Sequence, residues 1–392
     1  MEAAPASESL PQAPGYGRSS VAEVLTSAAG VLQVPGFTNT LGLPAAKRVC
    51  VVMVDGLGRS LLRQRSGHAP FLRSLQDGGR TLTAAFPTTT AASLASLGTG
   101  LPPGQHGMVG YDVLDPEQDK VVNMLGNWDP GVDPLRWQPF PTVLERAAGH
   151  LPVITTSLPQ FADSAMTRAA LRGGSHASAT GIHARVEAAL GALSAEKRVL
   201  MYFYFNELDK AGHRYGAQSP EWGGALEELD SALKRFTAKL PPDTLVLLTA
   251  DHGMVDAAPE HRIDYSAVPA LIEGVRHTAG DPRMVQLHLE PDAPSGTLER
   301  LTGSWQQALG SKAWILTRDE AVAAGLFGPV RREVLPRIGD LLVAAREPIA
   351  LFDARRASPS ALQMVGQHGS LTRAEREVPL LTLARPAKSG RK

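Results

Sequence analysis

A single cysteine, Cys50, stands among the 392 residues, so no intrachain disulfide can form and a reducing compartment, the cytoplasm, is the expected location. Charge of neither sign is in excess: 39 Lys and Arg face 39 Asp and Glu, with no long basic run. That balance excludes a nucleic-acid-binding face built on positive charge and an anionic membrane partner. No stretch reaches the ~20 apolar residues of a membrane span. Residues 1–20 are rich in Pro, Ala and Ser where a signal peptide would need an apolar centre, and they read as a disordered leader. There is no internal repeat, and the oligomeric state has no signature in the sequence.

What the chain does contain is an alternation of valine- and leucine-rich runs with amphipathic stretches. Helices are expected over 21–32, 60–75, 182–193 and 220–239, with strands over 49–54, 153–157, 199–205 and 244–250. Such alternation predicts an α/β fold, a mostly parallel sheet with helices on both faces. At 392 residues the chain exceeds one ordinary domain. Residues 259–336 differ in texture, with strands expected over 285–289 and 313–316 and helices over 298–309 and 319–324. They are expected to form a smaller inserted α+β lobe. The catalytic domain then comprises 21–258 and 337–384, with strands over 340–344 and 380–383 returning to the main sheet and bringing His368 between them. Residues 385–392 read as a flexible basic tail.

Polar islands fall where such a fold places ligands. Asp55 closes the run 49–54 and is followed by Gly56-Leu57-Gly58, and Asp251-His252-Gly253 closes the run 244–250. Ligands of open α/β sheets gather outside the carboxyl ends of the strands, so the two acid-bearing ends are candidate neighbours. Asp209 and His213 lie four apart after the run 199–205; a helix would put them on one face, whereas Gly212 favours a tight loop. His368 precedes Gly369. Thr90 closes Pro87-Thr88-Thr89-Thr90 ahead of a small-residue stretch, where threonines cap helices and the free N–H groups favour phosphate. Taken singly, an Asp before Gly is a turn former and a Thr there is a cap. Jointly, three carboxylates, three imidazoles and one hydroxyl suffice to hold two zinc-class ions and a nucleophile. His68, His150, His176, His183, His261, His277 and His288 have no partner pattern, and His106 reads as structural.

The order Asp-Gly, Pro-Thr-x-Thr, His-Gly, Asp-x-x-x-His, Asp-His-Gly and a late His-Gly resembles the alkaline phosphatase superfamily. Within it the chain is most similar to the nucleotide pyrophosphatase/phosphodiesterase branch, over about residues 51–368. That resemblance implies one zinc on Asp209, His213 and His368, a second on Asp55, Asp251, His252 and the Thr90 oxygen, and Thr90 as nucleophile. Where the branch commonly carries an asparagine that contacts the phosphoryl oxygen, after His-Gly-x-x-Gly, this chain has Tyr111.

The expected activity is hydrolysis of a small-molecule phosphoester through a phosphothreonine. Two divalent ions carry four positive charges against three from the aspartates, a deficit that an ionised Thr90 would fill. A phosphomonoesterase, a phosphosugar mutase and a catalytically silent phospholigand binder are the rivals. A sulfatase is disfavoured, since its usual nucleophile arises from a Cys or Ser in Cys/Ser-x-Pro-x-Arg and Cys50 lies in Val49-Cys50-Val51-Val52. Trp128 and Trp137, in a Gly- and Pro-rich loop, are candidates to line a leaving-group pocket, with packing under the loop the simpler reading.

Overall fold

Three apolar runs, Arg48–Val54, Val199–Phe205 and Thr244–Thr249, make the centre of a seven-stranded sheet, and every residue in them except Arg48 is buried. Strands apolar on both faces need cover on both faces, which helices supply. Helices Ala22–Val31 and Thr90–Thr99 pack together, and so do Ile182–Ala195 and Pro220–Ala238. The structure, a computed structural model, describes residues 9–126, 128 and 131–386. Residues 1–8 of the expected leader and 387–392 of the expected tail lie outside the described residues.

Across the sheet the order is Arg80–Thr83, Glu377–Ala384, Thr244–Thr249, Arg48–Val54, Val199–Phe205, Val153–Thr156 and Ser175–His176. The last five run parallel. Glu377–Ala384 runs antiparallel to both of its neighbours. The sheet is therefore mostly parallel, as the alternation predicted. Register matters most for the site: Val54 lies opposite Phe205, and Met53 opposite Thr249. The residues that follow these strand ends are consequently brought to one edge.

A second, six-stranded antiparallel sheet runs Ala313–Thr317, Leu341–Ala345, Met284–Leu289, Val275–Asp281, Asp112–Asp115 and Lys120–Asn123. Its own core includes Tyr265, Leu301, Trp305 and Val343. Here the structure corrects an expectation, since Leu341–Ala345 does not return to the main sheet but pairs with Met284–Leu289 and Ala313–Thr317. A short run buried throughout reads the same in either sheet, so hydrophobicity alone could not assign it. Only the strand around 380–383 returns, and His368 follows Gly366–Gln367, a short strand paired with Val255–Asp256. Recruitment of 112–115 and 120–123 also carries the second sheet beyond 259–336.

Two local departures have plain causes. The stretch 60–75 is not one helix but Arg59–Gln64, a 3-10 turn at Ser66–His68 and Pro70–Arg73, interrupted where Gly67 and Pro70 fall. Residues 9–20, expected in the disordered leader, are tied to the fold at Tyr16 and Ser20. The Tyr16 hydroxyl donates to the Leu326 carbonyl at 3.1 Å and accepts from the Phe86 N–H at 3.0 Å, and Ser20 bridges to Thr83.

The helix that begins at Thr90 is buried along its whole length and lies against a π-helical turn, Thr167–Leu171. A Cβ at Gly98 would stand 1.7 Å from the Ala170 carbonyl oxygen, so only glycine permits this approach. Gly98→Ala is expected to force the two apart at a cost of about 1–3 kcal/mol, read as a lower urea midpoint. An unchanged midpoint would mean that this contact is not made in solution.

Candidate metal centre and cavity

The parallel register delivers the first ligands. Asp55 follows Val54 with its N–H bonded to the Phe205 carbonyl at 2.8 Å, and Asp251 follows the neighbouring strand. Gly56 takes a left-handed φ of 74° and donates its N–H to Asp251 Oδ1 at 3.1 Å. A Cβ there would meet Asp209 at 3.2 Å, so this glycine both turns the chain and admits the third carboxylate.

Asp209 and His213 lie on helix Glu207–Tyr215, which settles the choice between helix and loop. Asp209 Oδ1 and His213 Nε2 are 3.3 Å apart. Gly212 is needed for another reason: Met254 Sδ would be 2.2 Å from a Cβ at that position. Thr90 opens its helix, capped by the Thr89 hydroxyl, which accepts from the Ala92 N–H. Thr90 Oγ1 lies 3.1 Å from His252 Nε2 and 3.5 Å from Asp55 Oδ1. His368 stacks on His252 at 3.6 Å between ring centroids, and its ring lies 5.2 Å from that of His213. The seven residues named from the sequence as metal ligands and nucleophile thus converge, and Tyr111, the eighth residue named, does not join them.

Two overlapping triads meet the spacing for an ion: Asp209, His252 and His368, and Asp55, Asp251 and His252. The imidazoles are oriented as ligands require. Nδ1 of His213, His252 and His368 lies 2.8, 3.0 and 2.9 Å from the carbonyls of Gly366, Gly253 and Thr88. A carbonyl can only accept, so each Nδ1 carries a proton and Nε2 is left as the nitrogen that, when neutral, can ligate. Asp209 Oδ1 and Asp251 Oδ2 are buried without a hydrogen-bond partner. Carboxylate oxygens without a hydrogen bond, beside imidazole Nε2 atoms, form a donor set that fits zinc-class cations.

Without cations these acids are under strain. Burial raises the pKa of Asp55, with the Asp251 charge adding to it, and burial likewise raises Asp251. Asp209 is pushed up to about 6 by burial, against the pull of His213. Burial, with His252 and His213 beside it, lowers His368 well below the usual histidine range.

A cavity of ≈ 830 Å³ opens over Asp55, Thr90 and Asp209. Trp128 and Phe161 form part of its wall, and Arg168, Asn206 and Lys210 supply polar groups. Trp137 does not line it; its Nε1–H donates to the Gly107 carbonyl and Arg337 lies 3.9 Å from its ring centre. His106 is buried between Ser96 Oγ and the Met108 N–H, a structural role. Tyr111 lies outside the cavity, half-exposed on a shallow groove with Thr278 and Asp281.

One contributor was missed in the sequence: Tyr204, whose hydroxyl donates to Asp55 Oδ2. The alternation Tyr202-Phe203-Tyr204-Phe205 ahead of Asp209 was its signal, because period two sends both tyrosines to the face that lines the cavity.

Acids and imidazoles collected at the carboxyl edge of a mostly parallel sheet define an alkaline phosphatase-like phosphoric ester hydrolase. The chain belongs to the type I phosphodiesterase/nucleotide pyrophosphatase family, whose model matches residues 49–371. Among solved structures, phosphonoacetate hydrolase from Sinorhizobium meliloti 1021, bound to phosphonoformate, superposes with a TM-score of 0.68 at 18% identity, covering 89% of this chain and 92% of that one. Murine ectonucleotide pyrophosphatase/phosphodiesterase 5 gives 0.63 at 17% identity, covering 85% and 87%. A phosphopentomutase from Rhizobium etli is 42% identical over 77 residues, 19% of this chain and 18% of that protein. No helix among the described residues is long and apolar enough to cross a membrane.

The raised carboxyls bind protons more tightly in the folded than in the unfolded chain, so metal-free stability falls as pH rises from about 4 through the folded values. His368, with its lowered pKa, acts in the opposite sense below pH ~6.5. Three carboxyls outweigh one imidazole. In chelator the urea midpoint is expected to drop between about pH 5 and about 8, and added zinc to abolish the drop, since cations favour the ionised acids. A midpoint that rises with pH in chelator would contradict the buried-acid account.

Proposed function

We propose that the protein is a two-metal phosphodiesterase of the nucleotide pyrophosphatase type acting through a phosphothreonine on Thr90. The observation that carries this reading is the position of Thr90 Oγ1 at a helix N-terminus, 3.1 Å from His252 Nε2 and 3.5 Å from Asp55 Oδ1. It is the one hydroxyl of the Pro-Thr-x-Thr segment within reach of both triads' shared histidine.

Asp55, Asp251 and His252 would hold one cation beside Thr90, and Asp209, His213 and His368 the other. His252 lies within reach of both triads, so the division follows the family resemblance. Zinc is the proposed metal, since the set is Asp and His without thiolate. Such ions supply positive charge that lowers the pKa of a hydroxyl and neutralises phosphoryl oxygens.

Thr90 Oγ attacks phosphorus in line, forming an O–P bond as the bond to the leaving oxygen breaks. Water then cleaves the phosphothreonine and returns the hydroxyl. The Thr90 helix directs its N-terminal dipole at the phosphoryl group. Tyr204 holds Asp55 by its carboxylate, fixing the acid beside the nucleophile. Tyr111 is the proposed donor to a phosphoryl oxygen from the far side. Its phenol pKa is raised by burial. The cavity beside Thr90, walled by Trp128 and Phe161, would take the leaving group.

The murine relative was solved with AMP as an inactive threonine-to-alanine variant, which supports a threonine nucleophile in this fold. Thr90→Ala is expected to keep the fold and the metal content while turnover of bis(p-nitrophenyl) phosphate falls at least ~100-fold. Undiminished turnover would remove Thr90 from the mechanism. Faster hydrolysis of p-nitrophenyl phosphate than of the diester would favour a monoesterase, and phosphate migration within a pentose phosphate a mutase.

A further inference from the structure

Behind the ligand loops lies an ion pair with no exposure. Arg283 sits in the turn between strands Val275–Asp281 and Met284–Leu289 of the second sheet, and Glu375 in the short helix Arg373–Arg376. Nε and Nη2 of Arg283 donate to Oε1 and Oε2 of Glu375 at 2.8 and 2.9 Å, a two-pronged contact. The other guanidinium N–H groups go to the carbonyls of Glu347, Ile349 and Ala345 at 2.7, 2.9 and 3.3 Å. The arginine is thus anchored wholly in the second sheet and its flanking loop.

The other bonds of Glu375 go to the loops that follow the site histidines. Its carboxylate accepts from the Ser370 N–H at 3.0 Å and from Thr372 Oγ1 at 2.5 Å, and Ser370 stands two residues after His368. Its backbone carbonyl accepts from the N–H of Gly253, the residue after His252, at 2.8 Å. The preceding carbonyl, that of Ala374, presses on two glycines. A Cβ would lie 1.9 Å from it at Gly253 and 2.8 Å from it at Gly58, three residues beyond Asp55. A single helical turn therefore touches the chain just past Asp55, His252 and His368.

An ion pair taken out of water gains little over an apolar pair of the same shape, so stability alone does not call for one here. What a guanidinium fork supplies is direction: two parallel N–H···O bonds fix the plane of the carboxylate. The carboxylate's remaining lone pairs then fix Ser370 and Thr372. Resting on the metal-site reading above, we propose that the Arg283–Glu375 pair is a positioning device for the metal centre. It sets the spacing of the His252 and His368 loops and makes the second sheet part of what holds the cations.

The test uses the full chain, stripped of metal and titrated with zinc in a chelator buffer, with circular dichroism reporting the folded fraction. Glu375→Gln keeps the shape and loses the charge; Arg283→Lys keeps the charge and loses the fork. Both are expected to bind zinc about 10–100-fold more weakly per folded molecule, with Thr372→Val, which removes one bond to Glu375, showing a smaller loss. If a single variant fails to fold, the pair Arg283→Met with Glu375→Leu removes both charges together and carries the same expectation. Lower stability with unchanged zinc affinity of the folded fraction would show a merely structural pair and overturn the inference. A parent chain that binds no zinc would overturn the metal-site reading and the inference with it. A parent that binds, with variants that bind equally well, overturns the inference alone.

Discussion

The structure depends on carboxylates crowded into one site: Asp55 and Asp251, buried beyond paired strands, and Asp209, mostly covered on the next helix, fall into two triads that share His252. Parallel register puts Val54, Phe205 and Thr249 at one edge, and the next turns carry Asp55, Asp209 and Asp251 into a common pocket. Like charges in a water-poor site repel strongly, and each buried carboxylate loses its hydration. A site that collects such groups, with two carboxylate oxygens left without a hydrogen bond, is suited to holding positive charge.

Much of the remaining architecture serves to keep this collection together. Gly56 lets the Asp209 helix approach the Asp55 turn, and Gly98 seats the Thr90 helix on the π-helical turn that also bounds the cavity. π-Turns of this kind recur at functional sites because they open a helix wall locally. Carbonyls of Thr88, Gly253 and Gly366 orient the three histidines, so ligand geometry is set by main chain rather than by other flexible side chains. The second sheet reaches the same loops through Arg283, which ties a region far from Thr90 in sequence to the centre of the molecule.

The residues that gather at the candidate site were legible because their chemistry and their chain positions agreed. Acids that close apolar runs, a His-Asp pair at helical spacing and a threonine at a helix start each have a local signature, and the parallel-sheet rule says where they meet. The inserted region was less legible. Leu341–Ala345 is buried throughout, so its hydropathy carries no record of which sheet it joins; pairing with Met284–Leu289 is a long-range fact. Residues 9–20 looked dispensable by composition, yet Tyr16 is anchored by two backbone bonds that no local pattern announces. Glu375 and Arg283 escaped notice because each is an ordinary charged residue until the fold brings them together. Tyr204 had a signal in its period-two spacing, overshadowed by the simpler reading of an apolar core strand.

The most direct measurement is anomalous X-ray scattering from crystals grown with zinc. The account expects two peaks about 3.5 to 4 Å apart, one beside Asp55, Asp251 and Thr90, the other beside Asp209, His213 and His368. A single ion elsewhere in the molecule, or no peak at these residues in zinc-saturated crystals, would contradict it.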